Sequence, residues 1–111
     1  MTDYITVLTT VGSEDEGTLL AEILVSARLA ACVQLVGPIT SVYRWQGKME
    51  REKEFQLVAK SRGDLFAPLA ELIKDNHSYE VPEIIAQAIS NGSDAYLAWL
   101  DEQLQGESHG H

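Results

Sequence analysis

A long segment with two-residue alternation constrains the fold of this chain more than any other feature. Residues 49–59 alternate between two faces as a β-strand does, and their apolar side chains collect in the second half. Two extended segments, residues 31–36 and 39–45, precede the turn Gln46-Gly47-Lys48, with a bend at Gly37-Pro38 between them. The sequence therefore predicts a long antiparallel hairpin. Because its turn end is charged on both faces, we expect that end to project beyond the subunit core.

The segment before the hairpin predicts one strand and one helix. Residues 4–11 are rich in β-branched side chains and end at a glycine, which is typical of a strand with at least one buried face. Ser13 and Glu16 then have the spacing of a capping box, in which a hydroxyl and a carboxylate satisfy the first amides of a helix. We expect this helix to end near residues 28–29.

The segment after the hairpin predicts helix, strand and helix. An apolar stripe places the second helix over residues 61–76, where Pro68 indicates a late or irregular start. A fourth strand is expected over residues 84–89, and Ser93 caps a last helix. Two βαβ units in this order predict an α+β, ferredoxin-like split βαβ sandwich: a four-stranded antiparallel sheet with two helices on one face and a third helix appended.

Length and charge limit the domain organisation and the partners. The chain has 111 residues, so we expect one domain over residues 1–104 and a loose tail over residues 105–111. Eight basic and seventeen acidic side chains give a net charge of −9. Such a chain repels phosphate backbones and anionic lipids, so neither nucleic acid nor a membrane surface is expected as a partner. Attraction of cations is one interpretation of the charge, and plain solubility is the other.

The location is expected to be cytoplasmic. No apolar run approaches the roughly 20 residues of a membrane span, and the first residues lack the basic start and apolar core of a signal peptide. The single cysteine, Cys32, cannot form an internal disulfide, which agrees with a reducing compartment.

One connector concentrates polar chemistry between the second helix and the fourth strand. It reads His77-Ser78-Tyr79-Glu80-Val81-Pro82-Glu83-Ile84. Pro82 fixes its own backbone and pushes Val81 toward an extended conformation, so the connector should be stiff. Imidazole and carboxylate suit borderline divalent metals, which makes His77 and Glu83 the best candidate ligands. An ordinary loop with solvated charges is the alternative.

Four further side chains are candidates for a ligand cleft. Cys32 is either a small buried hydrophobe or a thiol facing a cleft, and Trp45 packs between subunits or stacks on a ligand. Lys60 contacts an anion or simply ends a strand in solvent, while Tyr79 offers a phenol within the connector. His109 and His111 in the tail are two residues apart and could bind copper adventitiously.

Motifs of the common catalytic folds are missing from the sequence. The chain has no P-loop, dinucleotide fingerprint, HExxH, GxSxG or CxxC pattern. An enzyme that uses these devices is therefore not expected. A metal-binding homeostasis protein, a trimeric small-ligand or signalling module, and an enzyme of unrecognised type are the classes that remain.

Several separated motifs resemble one family, the CutA or divalent-cation tolerance proteins. They occur in the family's order and cover residues 4–104: Val7-Leu8-Thr9-Thr10, Leu29-Ala30-Ala31-Cys32-Val33, Ser41-Val42-Tyr43-Arg44-Trp45-Gln46-Gly47, the whole connector and Tyr96-Leu97-Ala98-Trp99-Leu100. The resemblance implies a cytoplasmic homotrimer of ferredoxin-like subunits, in which long hairpins join sheets across subunits. It also implies copper binding and a part in metal tolerance.

The chain departs from the family at two proposed copper ligands. Thr9 stands where members with such ligands carry cysteine, Asn76 replaces the first of two paired histidines, and the usual His-Pro-Tyr is His-Ser-Tyr. We therefore expect a weak site that prefers Cu(II) to Zn(II) and loses affinity below about pH 6, because metals bind neutral imidazole. The alternative is a trimer like the PII signal proteins that binds a metabolite in the cleft between subunits, an analogy of architecture alone.

Overall fold

The computed structural model describes residues 2–106 and shows a mixed α+β chain with the predicted order of elements. Its elements are β1 (Tyr4–Val11), α1 (Glu14–Ser26), β2 (Cys32–Trp45), β3 (Lys48–Arg62), a 3-10 turn (Gly63–Leu65), α2 (Phe66–Asp75), β4 (Ile85–Ala88) and α3 (Asp94–Gln103). Both predicted caps are confirmed. Ser13 accepts a hydrogen bond from the amide of Glu16, and Ser93 accepts one from the amide of Tyr96.

The four strands form one antiparallel sheet in the order β2-β3-β1-β4. Strand β1 pairs with β3 from Tyr4 opposite Arg62 to Val11 opposite Phe55. One face of these two strands is buried under helices α1 and α2. The core cluster includes Val7, Val11, Leu57 and Ala59 from the strands and Leu20, Leu24, Leu69 and Ile73 from the helices.

The predicted projection of the hairpin is confirmed. Among the described residues, the part of β3 before Phe55 pairs only with β2, as far as Trp45 opposite Lys48. The folded chain is accordingly elongated, measuring 47 × 25 × 22 Å. Strand β2 is not broken at Gly37-Pro38, but the expected irregularity is present as a register shift between Val36 and Ile39. A Cβ atom on Gly37 would lie 2.6 Å from the ring of Phe55, so this position requires glycine.

The second helix does not begin at residue 61, and the late, irregular start that Pro68 indicated is confirmed. Ser61 and Arg62 complete β3 because they pair with Ile5 and Tyr4, and a 3-10 turn separates them from α2. Pro68 is the third residue of α2. Its missing N–H falls in the first turn, where no intrahelical acceptor exists.

A buried arginine ties the end of β3 to the end of the described chain. Arg62 is 1% exposed and forms ion pairs with Asp64 at 2.6 Å and with Asp101 at 3.1 Å. Its guanidinium also donates to the carbonyl of Gln105, whose own N–H donates to the carbonyl of Arg28. A loose tail was expected from residue 105, whereas Gln105 is held in the fold. Residues 107–111, with His109 and His111, lie outside the described residues.

Two buried hydroxyl groups on the same sheet face differ in hydrogen bonding. Ser61 donates to the carbonyl of Leu29 at 2.7 Å. Thr9, which lies opposite Leu57 and is 1% exposed, finds no partner for its hydroxyl among residues 2–106. A buried hydroxyl without a partner carries an uncompensated desolvation cost.

We predict that Thr9→Val raises the free energy of unfolding by about 1 to 3 kcal/mol, because it removes this cost at nearly constant shape. Ser61→Ala is the matched control and should lower the same quantity by about 1 kcal/mol, since it leaves the carbonyl of Leu29 unpaired. Urea unfolding of the variants and the parent at one protein concentration measures both. A loss of stability in Thr9→Val equal to that in Ser61→Ala would contradict the prediction.

Candidate functional site

An open groove of about 750 Å³ lies between the hairpin and the connector. We call it the hairpin groove. It is lined by Thr10, Ser41, Val42, Tyr43, Trp45, Glu52, Glu54, Tyr79, Glu80, Val81 and Glu83. Two walls therefore form it, one from the projecting strands and one from the connector.

Strand alternation sorts the hairpin's charges by face. Tyr43 lies opposite Glu50 and Ser41 lies opposite Glu52, and the same face ends at Trp45, which lies opposite Lys48. The other face carries the positions of alternate parity, which are Thr40, Val42, Arg44, Met49, Arg51 and Lys53, although Val42 also borders the groove. The groove face is therefore acidic and aromatic as far as Lys48 at the turn, while the opposite face carries three basic side chains.

His77 fixes the connector to the end of β1. Its Nε2 lies 2.8 Å from the carbonyl oxygen of Thr10, and its Nδ1 accepts a hydrogen bond from the amide of Tyr79 at 3.0 Å. A neutral ring with its proton on Nε2 satisfies both contacts. Ser78 adds a second anchor, because its amide and its hydroxyl both donate to the carboxylate of Glu16 in α1. The stiff connector expected from the sequence is thus also pinned at two places.

A buried carboxylate joins the two walls of the groove. Glu54 is 6% exposed, and the hydroxyl of Tyr79 donates to its Oε2 at 2.7 Å. Burial, reinforced by this hydrogen bond, raises the pKa of Tyr79 well above its ordinary value. The phenol therefore remains a neutral donor to Glu54. Glu54 was not among the predicted site residues, because in the sequence it is one of several charges on the polar half of β3. The available signal was the alternation of the strand, which places Glu54 on the face opposite to Arg51 and Lys53.

The predicted cleft residues divide between two places. Trp45, Tyr79 and Glu83 line the hairpin groove. Cys32 and Lys60 face each other across β2 and β3, at the other end of the sheet. There Cys32 contacts the hydroxyl of Tyr96, where burial and then the thiol raise the pKa of that phenol, and Lys60 donates to the side chain of Gln34 at 2.9 Å.

The metal site predicted at His77 and Glu83 stays a prediction. Within residues 2–106, no group of three or more histidine, cysteine, aspartate or glutamate side chains is placed to hold a metal ion. Glu83 lines the groove, while both ring nitrogens of His77 already contact backbone groups. Metal binding by His77 would require it to give up one of these contacts. Of the two departures from the family's ligands, Thr9 is buried in the core and Asn76 donates to the carbonyl of Leu72.

Comparisons with known proteins find close relatives over nearly the whole described chain. A protein-family model described as CutA1 divalent ion tolerance protein matches residues 5–103. A divalent-cation tolerance protein CutA from Thermus thermophilus is 46% identical over 96 residues, which are 86% of this chain and 93% of the relative. A chloroplastic protein CutA from Arabidopsis thaliana is 47% identical over 86% of this chain, which spans only 53% of that relative's length.

A solved structure shows the same similarity in three dimensions. The crystal structure of CutA1 from Oryza sativa superimposes with a TM-score of 0.91 at 41% identity, covering 94% of this chain and 95% of that one.

No helix within residues 2–106 is long and apolar enough to cross a membrane.

We predict that Tyr79→Phe lowers the free energy of unfolding at pH 7 by about 1 to 3 kcal/mol, because the buried carboxylate of Glu54 loses its donor. The pKa of Tyr79 is higher in the folded protein than the value of about 10 in the unfolded chain, so the hydrogen bond to Glu54 contributes its full stabilisation below pH 10. This stabilisation is lost as the pH rises toward the folded pKa. The difference between the parent and Tyr79→Phe should therefore narrow above pH 10. Melting curves from pH 7 to 11 measure it, and equal stability of the two proteins at pH 7 would refute the role of this bond.

Proposed function

Because the chain belongs to the CutA1 divalent ion tolerance family, we propose that it serves divalent-cation tolerance as a homotrimer of ferredoxin-like subunits with a binding rather than a catalytic role. The strand order β2-β3-β1-β4 and its antiparallel pairing support the ferredoxin-like part of this proposal. The single cysteine supports a reducing, cytoplasmic location for this protein.

The projecting hairpin is the observation that carries the proposed trimer. Strand β2 forms an outer edge of the sheet over fourteen residues. Large apolar side chains on the hairpin are exposed in the single subunit, including Val42 at 57%, Trp45 at 45% and Met49 at 70%. A long, apolar, unpaired edge invites pairing with another chain. Head-to-tail pairing of the hairpin with the next subunit covers this edge and closes into a ring.

The proposed metal binding is weak and draws on more than one source of ligands. The net charge of −9 attracts cations to the surface. His77 and Glu83 supply one imidazole and one carboxylate from each chain, so water or a neighbouring subunit must complete the coordination. By the general affinity order of divalent metals, such a site prefers Cu(II) to Zn(II).

We predict that sedimentation equilibrium gives a trimer for the parent and that Trp45→Ala weakens it, with a loss of about 3 to 5 kcal/mol, because a large aromatic side chain leaves the subunit interface. Trp99→Ala in α3 is the matched control, since Trp99 is also half-exposed and packs on Tyr96, which contacts Cys32 at the opposite end of β2 from Trp45. It should leave the association constant unchanged. A monomeric parent at micromolar concentration, or an unchanged trimer in Trp45→Ala, would contradict the proposal.

We predict weak copper binding that depends on His77. The titration is made in a background carrying His109→Ala and His111→Ala, which removes the adventitious tail ligands. Addition of His77→Ala should lower the copper affinity about tenfold or more, as expected for the loss of an imidazole ligand. Isothermal titration at pH 7 measures it. Equal copper affinity with and without His77 would make this histidine purely an anchor of the connector.

A further inference from the structure

We propose that Asn91 is a site of spontaneous covalent modification, at which the side-chain amide is lost and the residue becomes isoaspartate or aspartate. The site is the pair Asn91-Gly92, which lies between β4 and α3. The reaction needs only this chain and water. It therefore goes beyond divalent-cation tolerance and depends neither on the proposed trimer nor on copper.

The chemistry begins at the backbone nitrogen of the residue that follows an asparagine. This nitrogen loses its proton and attacks the side-chain carbonyl carbon, so that a C–N bond forms. The side-chain nitrogen leaves with that proton as ammonia. Water then opens the resulting imide ring, giving isoaspartate when it adds at the main-chain carbonyl and aspartate when it adds at the side-chain carbonyl. Glycine favours the attack, because it has no side chain beside the nitrogen and leaves the backbone free to turn.

The structure leaves the reacting atoms of this pair open. Asn91 and Gly92 are both exposed and lie within residues 89–93, which belong to no helix or strand. The side-chain nitrogen of Asn91 has one long contact, at 3.3 Å, with the hydroxyl of Ser90. Among residues 2–106, the backbone amide of Gly92 donates no hydrogen bond. Apart from the contact with Ser90, the attack therefore breaks no bond of the fold.

The only other asparagine in the sequence, Asn76, has the opposite surroundings. It is exposed as well, so access to water does not distinguish the two asparagines. Its side-chain amide donates to the carbonyl of Leu72 at 2.9 Å. The amide that would attack it, that of His77, donates to the carbonyl of Lys74 at 3.4 Å. Attack at Asn76 must therefore break two hydrogen bonds, and the side chain of His77 hinders the nitrogen.

Packing explains why a glycine follows Asn91. A Cβ atom at residue 92 would lie 3.0 Å from Cδ2 and 3.1 Å from Cγ of Leu97 in α3. Any larger residue would thus press on Leu97. Because the packing of α3 favours glycine here, the chain carries an asparagine next to the residue that hinders the attack least.

Conversion of Asn91 changes both the charge and the main chain just before α3. Either product adds one negative charge to the formal net charge of −9, so ion exchange separates the converted protein. Isoaspartate also adds a methylene group to the main chain, two positions before Ser93. The hydroxyl of Ser93 caps α3 by accepting from the amide of Tyr96. The modification therefore acts at the passage from β4 into α3.

Incubation of the full-length, assembled protein at mildly alkaline pH tests the proposal. Peptide mapping by mass spectrometry follows both asparagines in one sample, and methyl transfer from S-adenosylmethionine by an isoaspartyl methyltransferase counts the isoaspartate. We expect Asn91 to convert at least about tenfold faster than Asn76, because hydrogen bonds of the backbone and the side chain must break only at Asn76. Asn91→Gln keeps the amide but requires a larger ring, so it should remove most of the isoaspartate signal.

The same mapping in urea separates the effect of the fold from that of the sequence. Unfolding should raise the rate at Asn76 about tenfold, because both of its hydrogen bonds are lost, and should change the rate at Asn91 less than about threefold. A larger rise at Asn91 would overturn the proposal, since the fold or a neighbouring subunit would then protect this loop. Equal conversion of the two asparagines in the folded protein, or an equal isoaspartate signal in Asn91→Gln, would overturn it as well.

Discussion

The unequal lengths of β1 and β3 determine most of what is distinctive in this subunit. Strand β3 has fifteen residues and β1 has eight, so β1 can pair with only the second half of β3. That half lies between β1 and β2 and carries the apolar side chains of β3 that face the core, including Leu57 and Ala59. The first half has β2 as its only described partner and therefore leaves the body of the sheet. The exposed edge and the hairpin wall of the groove follow from this difference.

The connector converts the projecting hairpin into one wall of a site. The connector is bound to the end of β1 by the contact of His77 with the carbonyl of Thr10. It is bound to the hairpin by the hydrogen bond from Tyr79 to Glu54. Among the described residues, two charged side chains are buried, and their surroundings differ. Arg62 is balanced by two carboxylates and a carbonyl, which is a structural arrangement. Glu54 accepts the hydroxyl of Tyr79 and borders the hairpin groove.

The sequence predicted the features that local patterns encode. The first strand, both caps and the projection of the hairpin depend on alternation and on capping residues, so they were predicted before any contact was known. Pro68 indicated a late start of α2, but the exact first residue was not predicted, because Ser61 and Arg62 are held in β3 by their pairing with Ile5 and Tyr4, which are more than fifty positions away. The environment of His77 depends on the carbonyl of Thr10, a contact across 67 positions that no local pattern reveals. The burial of Glu54 has the same origin, since only the folded connector brings Tyr79 to it.

Hydrogen exchange at the outer edge of β2 tests most directly whether the projecting hairpin pairs with the sheet of a neighbouring subunit. In a single subunit, alternate backbone amides over residues 39–45 point away from β3 and exchange with solvent quickly. If the hairpin joins the sheet of a neighbouring subunit, these amides should be protected in the assembled protein to nearly the same degree as the amides that bond β3. Fast exchange at these amides under conditions where the inner amides are protected would contradict the account.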